Sequence, residues 1–194
     1  ILLVKHFFDP LQAGVYAGLS LVGKVIFFLT APIGSVMFPL IVKKYAKSEN
    51  YNNIFKMAIV MVFIPSVFIT TFYFLYSDLS ISFIIKNATY KSASSLLGLF
   101  GIFITTYSLI TLFVYYFLSI KKTKVYIPVL LAAMSQLLLI ILYHDSLLIV
   151  VVISLLTALI LLATLVMYYI KIYGEYVKIN KKEAVIESIG EIGS

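Results

Sequence analysis

Cysteine is absent from the 194 residues. The chain therefore has no disulfide, no thiolate metal site and no cysteine nucleophile, and its redox compartment stays open. Charge is scarce as well, at 12% of residues, against about 25% in soluble domains. No acidic residue falls inside any of the long apolar runs. There is no phosphate-binding glycine loop, no HExxH and no paired carboxylates. The alternating segments of about ten residues that mark a membrane barrel are missing too. These absences argue against an enzyme and against a cofactor, and they leave few polar residues to explain.

What is there is apolar. Hydrophobic residues make up 62% of the chain and the mean hydropathy is +1.09. A water-soluble globule has no place for that much apolar surface, and the same excess excludes disorder for most of the chain. The expected fold class is all-α and integral to the membrane. A bilayer core about 30 Å thick needs roughly 20 apolar helical residues. Five stretches qualify, at about 13–42, 54–76, 94–119, 125–143 and 147–170. At 1.5 Å per residue the first is about 45 Å long. It must tilt, kink or protrude, and Pro32 offers a kink site. Pro65 does the same in the second stretch. Pro128 falls in the first turn of the fourth, where its missing N–H costs little.

Residues 1–170 are expected to form the membrane domain and 171–194 a cytoplasmic tail. The tail mixes Lys and Glu with isolated Ile and Val. It reads either as a short amphipathic helix on the membrane or as an unstructured segment, not as a further span. The opening Ile1–Phe8 is apolar but too short to span, and it lacks the basic start and cleavage site of a signal peptide. It reads as the end of a helix, so the chain is expected to be part of a longer protein.

The lysines give a direction. Lys43, Lys44, Lys47 and Lys56 flank the first connection, Lys121, Lys122 and Lys124 the third, and Lys171, Lys178, Lys181 and Lys182 follow the last span. Thus 11 of the 15 lysines lie on one side, which the positive-inside rule assigns to the cytoplasm. The opposite connections hold Lys86 and Lys91 on one, and Tyr143-His144-Asp145 without lysine on the other. A cytoplasmic C-terminus in the plasma membrane is expected. The net charge of +7 is explained by this topology rather than by nucleic acid.

Each helix can be tested for a small or polar stripe at 100° per residue. In the first, Ala17, Ser20, Lys24, Ala31 and Ser35 fall within about 60° of arc, with the Gly14–Gly18 pair beside them. In the third, Ser94, Gly98, Gly101, Thr105, Ser108 and Ser119 share one stripe. Ala132, Ser135 and Gln136 are neighbours in the fourth. Ser154, Thr157, Ala158, Thr164 and Tyr168 are neighbours in the fifth. Any one stripe reads as helix packing, for which Gly14, Gly18, Gly98 and Gly101 are candidates. Together the stripes suggest a bundle around a semi-polar interior. Lys24, eleven residues into the first run, is then expected near mid-membrane. There it is either a fixed cation for an anionic substrate group or a lysine whose head snorkels to the outer interface. A proton-coupling role is a further alternative for it. Ser20, Ser35 and Gln136 are the other candidate substrate contacts, with interhelical hydrogen bonding as the alternative for Gln136. Tyr107, Tyr115 and Tyr116 fit an interfacial aromatic belt. Asn87-Ala88-Thr89 matches a glycosylation acceptor, a pattern short enough to arise by chance. His144-Asp145 has no accompanying nucleophile or ligand set and reads as a turn.

The run Ala13-Gly14-Val15-Tyr16-Ala17-Gly18-Leu19-Ser20-Leu21-Val22-Gly23-Lys24 resembles a stretch in oligosaccharide flippases of the polysaccharide biosynthesis protein family. These belong to the superfamily that includes multidrug and toxin extrusion transporters. Pro32-Ile33-Gly34-Ser35-Val36-Met37-Phe38-Pro39-Leu40 resembles the end of the same helix, and a basic loop follows in both. Tyr90 to Ala93 fits a later Tyr-x-x-Ala element. The family's glycine before that Tyr is replaced here by Lys86-Asn87-Ala88-Thr89. The likeness is specific over about 13–42 and mainly hydropathic elsewhere. It implies that the five spans form most of one six-helix lobe, the C-terminal one, of a two-lobe transporter. It further implies alternating access, a lipid-linked oligosaccharide as cargo, coupling to an ion gradient and an N-terminal lobe as partner, with membrane lipid around both. Lys24 lies in the matching motif and is the position expected to face the cavity.

Three other functions compete with this reading, and the residues that two of them need are not seen in the spans. A drug/cation antiporter of the same superfamily would need a membrane-embedded carboxylate. An enzyme acting on a polyprenyl lipid would need carboxylates, histidines or metal ligands gathered at one membrane face. A non-catalytic scaffold subunit would need neither.

Overall fold

Asp9 and Pro10 divide the N-terminal apolar run into two helices. The Asp9 carboxylate accepts a hydrogen bond from the Gln12 N–H at 2.7 Å, and Pro10 opens the next helix, where no N–H partner is lost. A computed structural model describes residues 2–84 and 94–192, with side chains at 2–81 and 94–174. Its helices are α1 (Leu2–Phe7), α2 (Pro10–Ala46), α3 (Asn52–Leu75), α4 (Ser77–Ile84), α5 (Ser94–Ser119), α6 (Tyr126–Leu142) and α7 (Leu147–Ile192), with one 3-10 turn at Thr123–Val125. Lys86, the Asn87-Ala88-Thr89 pattern, Lys91 and the Tyr90 to Ala93 element lie outside the described residues.

Five helices are long and apolar enough to cross a membrane, over Pro10–Ala46, Asn52–Leu75, Ser94–Ser119, Thr123–Leu142 and Leu147–Gly174. Their ends fall within a few residues of the predicted runs. The short α4 was not predicted. The chain is also helical beyond the last span, because α7 continues unbroken from Leu147 to Ile192. Pro32 and Pro39 in α2 and Pro65 in α3 sit inside continuous helices.

The lysine-bearing connections gather at one end of the bundle, called here the basic end. Two helices stop there by the same device. Ser48 has φ 56° and Lys121 has φ 59°, the left-handed region usually held by glycine. Glu49 N–H donates to Lys44 O at 3.0 Å and Ser48 N–H to Tyr45 O at 3.2 Å. Lys122 N–H donates to Phe117 O at 2.9 Å and Lys121 N–H to Leu118 O at 3.1 Å. Both sets are Schellman caps, which satisfy the last helical carbonyls and turn the chain sharply.

Helix α5 is the axis of the bundle and packs against α2, α3 and α7. Helix α6 packs along α7 and the 3-10 turn, and its one buried residue is Ile140. Two apolar clusters stack along the bundle. The basic-end cluster joins Met37, Ile41, Phe55, Phe113, Phe117 and Leu165. The far-end cluster joins Leu19, Val22, Ile26, Leu97, Phe100 and Val151. Outside these, α3 exposes Met57, Ile64 and Phe68, and α6 exposes Leu131, Met134 and Leu138. Such broad apolar faces suit hydrocarbon, and the bundle is compatible with a multi-pass membrane protein.

Candidate functional site

Helix α2 has two unlike faces. Val22, Ile26, Thr30, Met37 and Ile41 are buried and turn toward α5 and α3. Lys24 and Ser35 are exposed on the opposite flank, Ala17 and Ala31 are half-buried beside them, and Ser20 is buried at the edge. The Ser35 hydroxyl donates to Ala31 O at 3.3 Å. The stripe expected to line the interior therefore runs along the outside of this bundle, except at Ser20. Spacing identifies a polar arc but not the neighbour it faces, and the apolar arc of α2 is the one that fits α5.

The register also sets the level of Lys24 against its neighbours. The Tyr73 hydroxyl donates to Val22 O at 2.7 Å, and Gly23 lies against the Phe100 ring. Tyr73 is two residues from the end of α3 and Phe100 six residues from the start of α5. At 1.5 Å per residue Lys24 is thus about 3–9 Å inside the far end of its neighbours. The first ten residues of α2 project beyond α3 to meet α1 and α4. Lys24 is the one charge away from the helix ends among the described spans. The one ion pair among the described residues is Lys44 Nζ–Glu49 Oε2, at 3.7 Å.

The α5 stripe, in contrast, is inside. Gly98 admits the Phe74 ring and Gly101 admits Tyr73 and Thr70. The hydroxyls of Thr70 and Thr105 are 2.9 Å apart. Thr30 Oγ1 lies 3.1 Å from Ser108 Oγ and 2.9 Å from Ile26 O. Gly18 is buried and Gly14 half-buried on α2. These polar groups satisfy one another across the buried α2–α3–α5 seam, where unpaired hydroxyls would be costly in hydrocarbon. Thr30, Thr70 and Tyr73 were not singled out from the sequence. The signal available was their position on the buried arcs of α2 and α3.

Gln136 lies elsewhere. Its Nε2 donates to Ser154 Oγ at 2.9 Å, and Ser154 in turn donates to Val150 O at 2.8 Å. That bond ties α6 to α7. Gln136 also edges a cleft of about 340 Å³ between α5 and α6, floored by Thr157, Ala158 and Leu161 of α7. A second, wholly apolar groove of about 310 Å³ follows Ile33, Met37, Ala58 and Met61 between α2 and α3. The four residues expected to meet substrate are therefore not brought together. Lys24 and Ser35 share the open face of α2, Ser20 is packed, and Gln136 sits on the α6–α7 contact.

Aromatic residues crowd the basic end. Phe55 stacks on Tyr116 with ring centroids 4.1 Å apart, and Tyr116 donates to Asn52 Oδ1 at 3.3 Å. Lys56 Nζ is 5.3 Å from the Tyr173 ring centroid, within cation–π reach. Tyr116 is thus buried in the bundle, whereas Tyr107 is exposed and Tyr115 half-buried. At the far end the His144 ring stacks on Phe7 at 4.2 Å, and its Nδ1 is 3.0 Å from Ile141 O. Among the described residues no His, Asp and Glu side chains gather as a metal-binding group. Comparison with protein-family models, with curated proteins and with solved structures finds no match for this chain.

Proposed function

We propose that this chain is one lobe of a two-lobe transporter that flips a lipid-linked oligosaccharide across the plasma membrane by alternating access. The observation that carries this reading is the open face of α2. A helix that buries one arc against its own bundle leaves Lys24 and Ser35 turned outward among exposed apolar residues such as Leu21, Phe28 and Val36, as two polar groups that hydrocarbon solvates poorly. A facing N-terminal lobe would turn that surface into one wall of a polar cavity. The motif resemblance over about 13–42 includes Lys24, and its cation complements the diphosphate of such a cargo. Its place near the far end, outside by the lysine rule, suits contact with the charged group on the outward-open side. The lipid tail stays in the bilayer, and an ion gradient drives the cycle. The C-terminus lies in the cytoplasm.

The test uses the native protein in its membrane. Its intact mass is expected to be roughly twice the 21.8 kDa of this chain, as paired repeats imply. Lys24→Ala should lower glycan export about 10- to 100-fold, the worth of one charge-assisted hydrogen bond, with Lys24→Arg retaining more. Unchanged export by a membrane-inserted Lys24→Ala protein would remove Lys24 from the mechanism. The 194-residue chain alone is expected to be inactive in vesicles.

A scaffold subunit is the second reading. It is favoured by Gln136 and the α5 hydroxyls, which are engaged in packing. A native mass near 21.8 kDa, with no transport, would favour it. The antiporter alternative needs a carboxylate within a span, and the described spans hold none. The second lobe would have to supply it.

A further inference from the structure

The α5–α6 cleft has a chemistry that neither packing nor the α2 face uses. Phe103, Ile110 and Val114 form one wall, Val129 and Ala133 the other, and Ala158 lies on the floor. At about 340 Å³ it is more than twice the roughly 150 Å³ that holds a benzene ring in an engineered apolar core. It opens between helices long enough to span a bilayer, so what meets its mouth is hydrocarbon. Small side chains keep it wide, because Ala132, Ala133 and Ala158 stand where larger residues would close the gap.

A basic connection lies beyond one end of the cleft. Val114 is five residues from the end of α5 and Val129 three from the start of α6. The cleft thus ends about 5–8 Å from the α5–α6 connection. That connection carries Lys121, Lys122 and Lys124, all exposed, and no acidic residue. The Schellman cap fixes the backbone of the first two. The one ion pair among the described residues lies on another connection, at Lys44 and Glu49, so these three cations are not neutralised by it.

We propose that the cleft seats one acyl chain of an anionic phospholipid whose headgroup rests on Lys121, Lys122 and Lys124. A mainly apolar slot, with Tyr107, Thr111, Gln136 and Thr157 as its polar lining, that ends near a cluster of cations matches the two ends of such a lipid. A zwitterionic lipid fills the slot equally well but offsets its phosphate with its own cation. A lysine near an anionic membrane surface contributes a factor of about five in affinity, so the three together give strong selection by headgroup. The inference rests on the membrane-spanning bundle and not on the transport reading.

The test is native mass spectrometry of the membrane-inserted chain after extraction from an equal mixture of phosphatidylglycerol and phosphatidylcholine. The expected result is one retained lipid per chain, predominantly phosphatidylglycerol. Ala133→Phe fills the cleft from an exposed position and should lower retention about tenfold. Changing Lys121, Lys122 and Lys124 together to Gln should keep a retained lipid but abolish the headgroup preference. Leu131→Phe, outside the cleft on α6, should behave as the unaltered chain and shows that added bulk alone is harmless. Equal retention of both lipids by the unaltered chain would overturn the proposal. So would full retention in Ala133→Phe, or displacement of phospholipid by a polyprenyl phosphate present at equal concentration.

Discussion

A Cβ added at Gly23 would lie 2.5 Å from Phe100, and one added at Gly98 would lie 2.5 Å from Phe74. The two sites differ in what can move. Phe100 is 3% exposed, with Tyr16 and Phe103 rings 5.9 and 5.6 Å away. Phe74 is 55% exposed and can swing outward. Gly23→Ala is therefore expected to cost about 1–3 kcal/mol as an overpacking substitution. Gly98→Ala should stay within about 1 kcal/mol of the parent, because gained helix propensity offsets the adjustment. Reversible unfolding in bicelles measures both, and equal losses would show that Phe74 is as fixed as Phe100. A second residue-scale test concerns backbone. Ser48 occupies the left-handed region at φ 56°, so Ser48→Gly should stabilise the α2 cap by about 1 kcal/mol. A loss of stability in the same assay would show that the Ser48 side chain contributes more than its strain costs.

At the scale of elements, α5 and α6 are opposites despite their shared apolar character. Both are apolar and long enough to span, but in an apolar 18-residue stretch of each, 61% of residues are buried in Ser94–Ser119 and 11% in Thr123–Leu142. Helix α5 carries a stripe of Gly, Ser and Thr that α3 and α2 approach closely. Helix α6 has the Ser135–Gln136 pair, of which Gln136 bonds across to α7. Local opening should follow contact density. Hydrogen exchange in nanodiscs is expected to protect α5 amides most and α6 amides least among the spans. Equal protection would mean that a surface beyond this bundle covers α6. The stripe on α2 shows the limit of reading an element alone. Its arc was legible at 100° per residue, but the same arithmetic could not say that Thr30, and not Lys24, would point at α5.

For the bundle as a whole, the absence of cysteine from these 194 residues lets a single introduced cysteine in this chain report orientation. Lys47 lies on the basic end and Asp145 on the opposite turn, and both are exposed. With the basic end in the cytoplasm, Asp145→Cys should react with a membrane-impermeant maleimide on intact cells. Lys47→Cys should react only after permeabilisation. The reverse pattern would invert the topology and place Lys24 near the cytoplasmic side. Lys24 also shows how element and molecule interact. Counted along its own run it sat deep, yet α2 is 37 residues long and α3 is 24. The extra length of α2 lies at the far end, which brings Lys24 close to the level where α3 stops.

The sequence by itself determined the five apolar spans, their ends to within a few residues, the lysine asymmetry and the polar arcs on each helix. These follow from local quantities, since hydropathy sets length and 3.6 residues per turn set the faces. Only the tertiary structure decided which arcs meet, how far α2 slides past α3, that Gln136 bonds to Ser154, and that a cleft remains between α5 and α6. Those outcomes depend on how side chains from distant parts of the chain fit together. Phe100 against Gly23 and Tyr73 against Val22 fix a register that no single helix encodes, because in hydrocarbon every apolar face is equally solvated and close packing makes the choice.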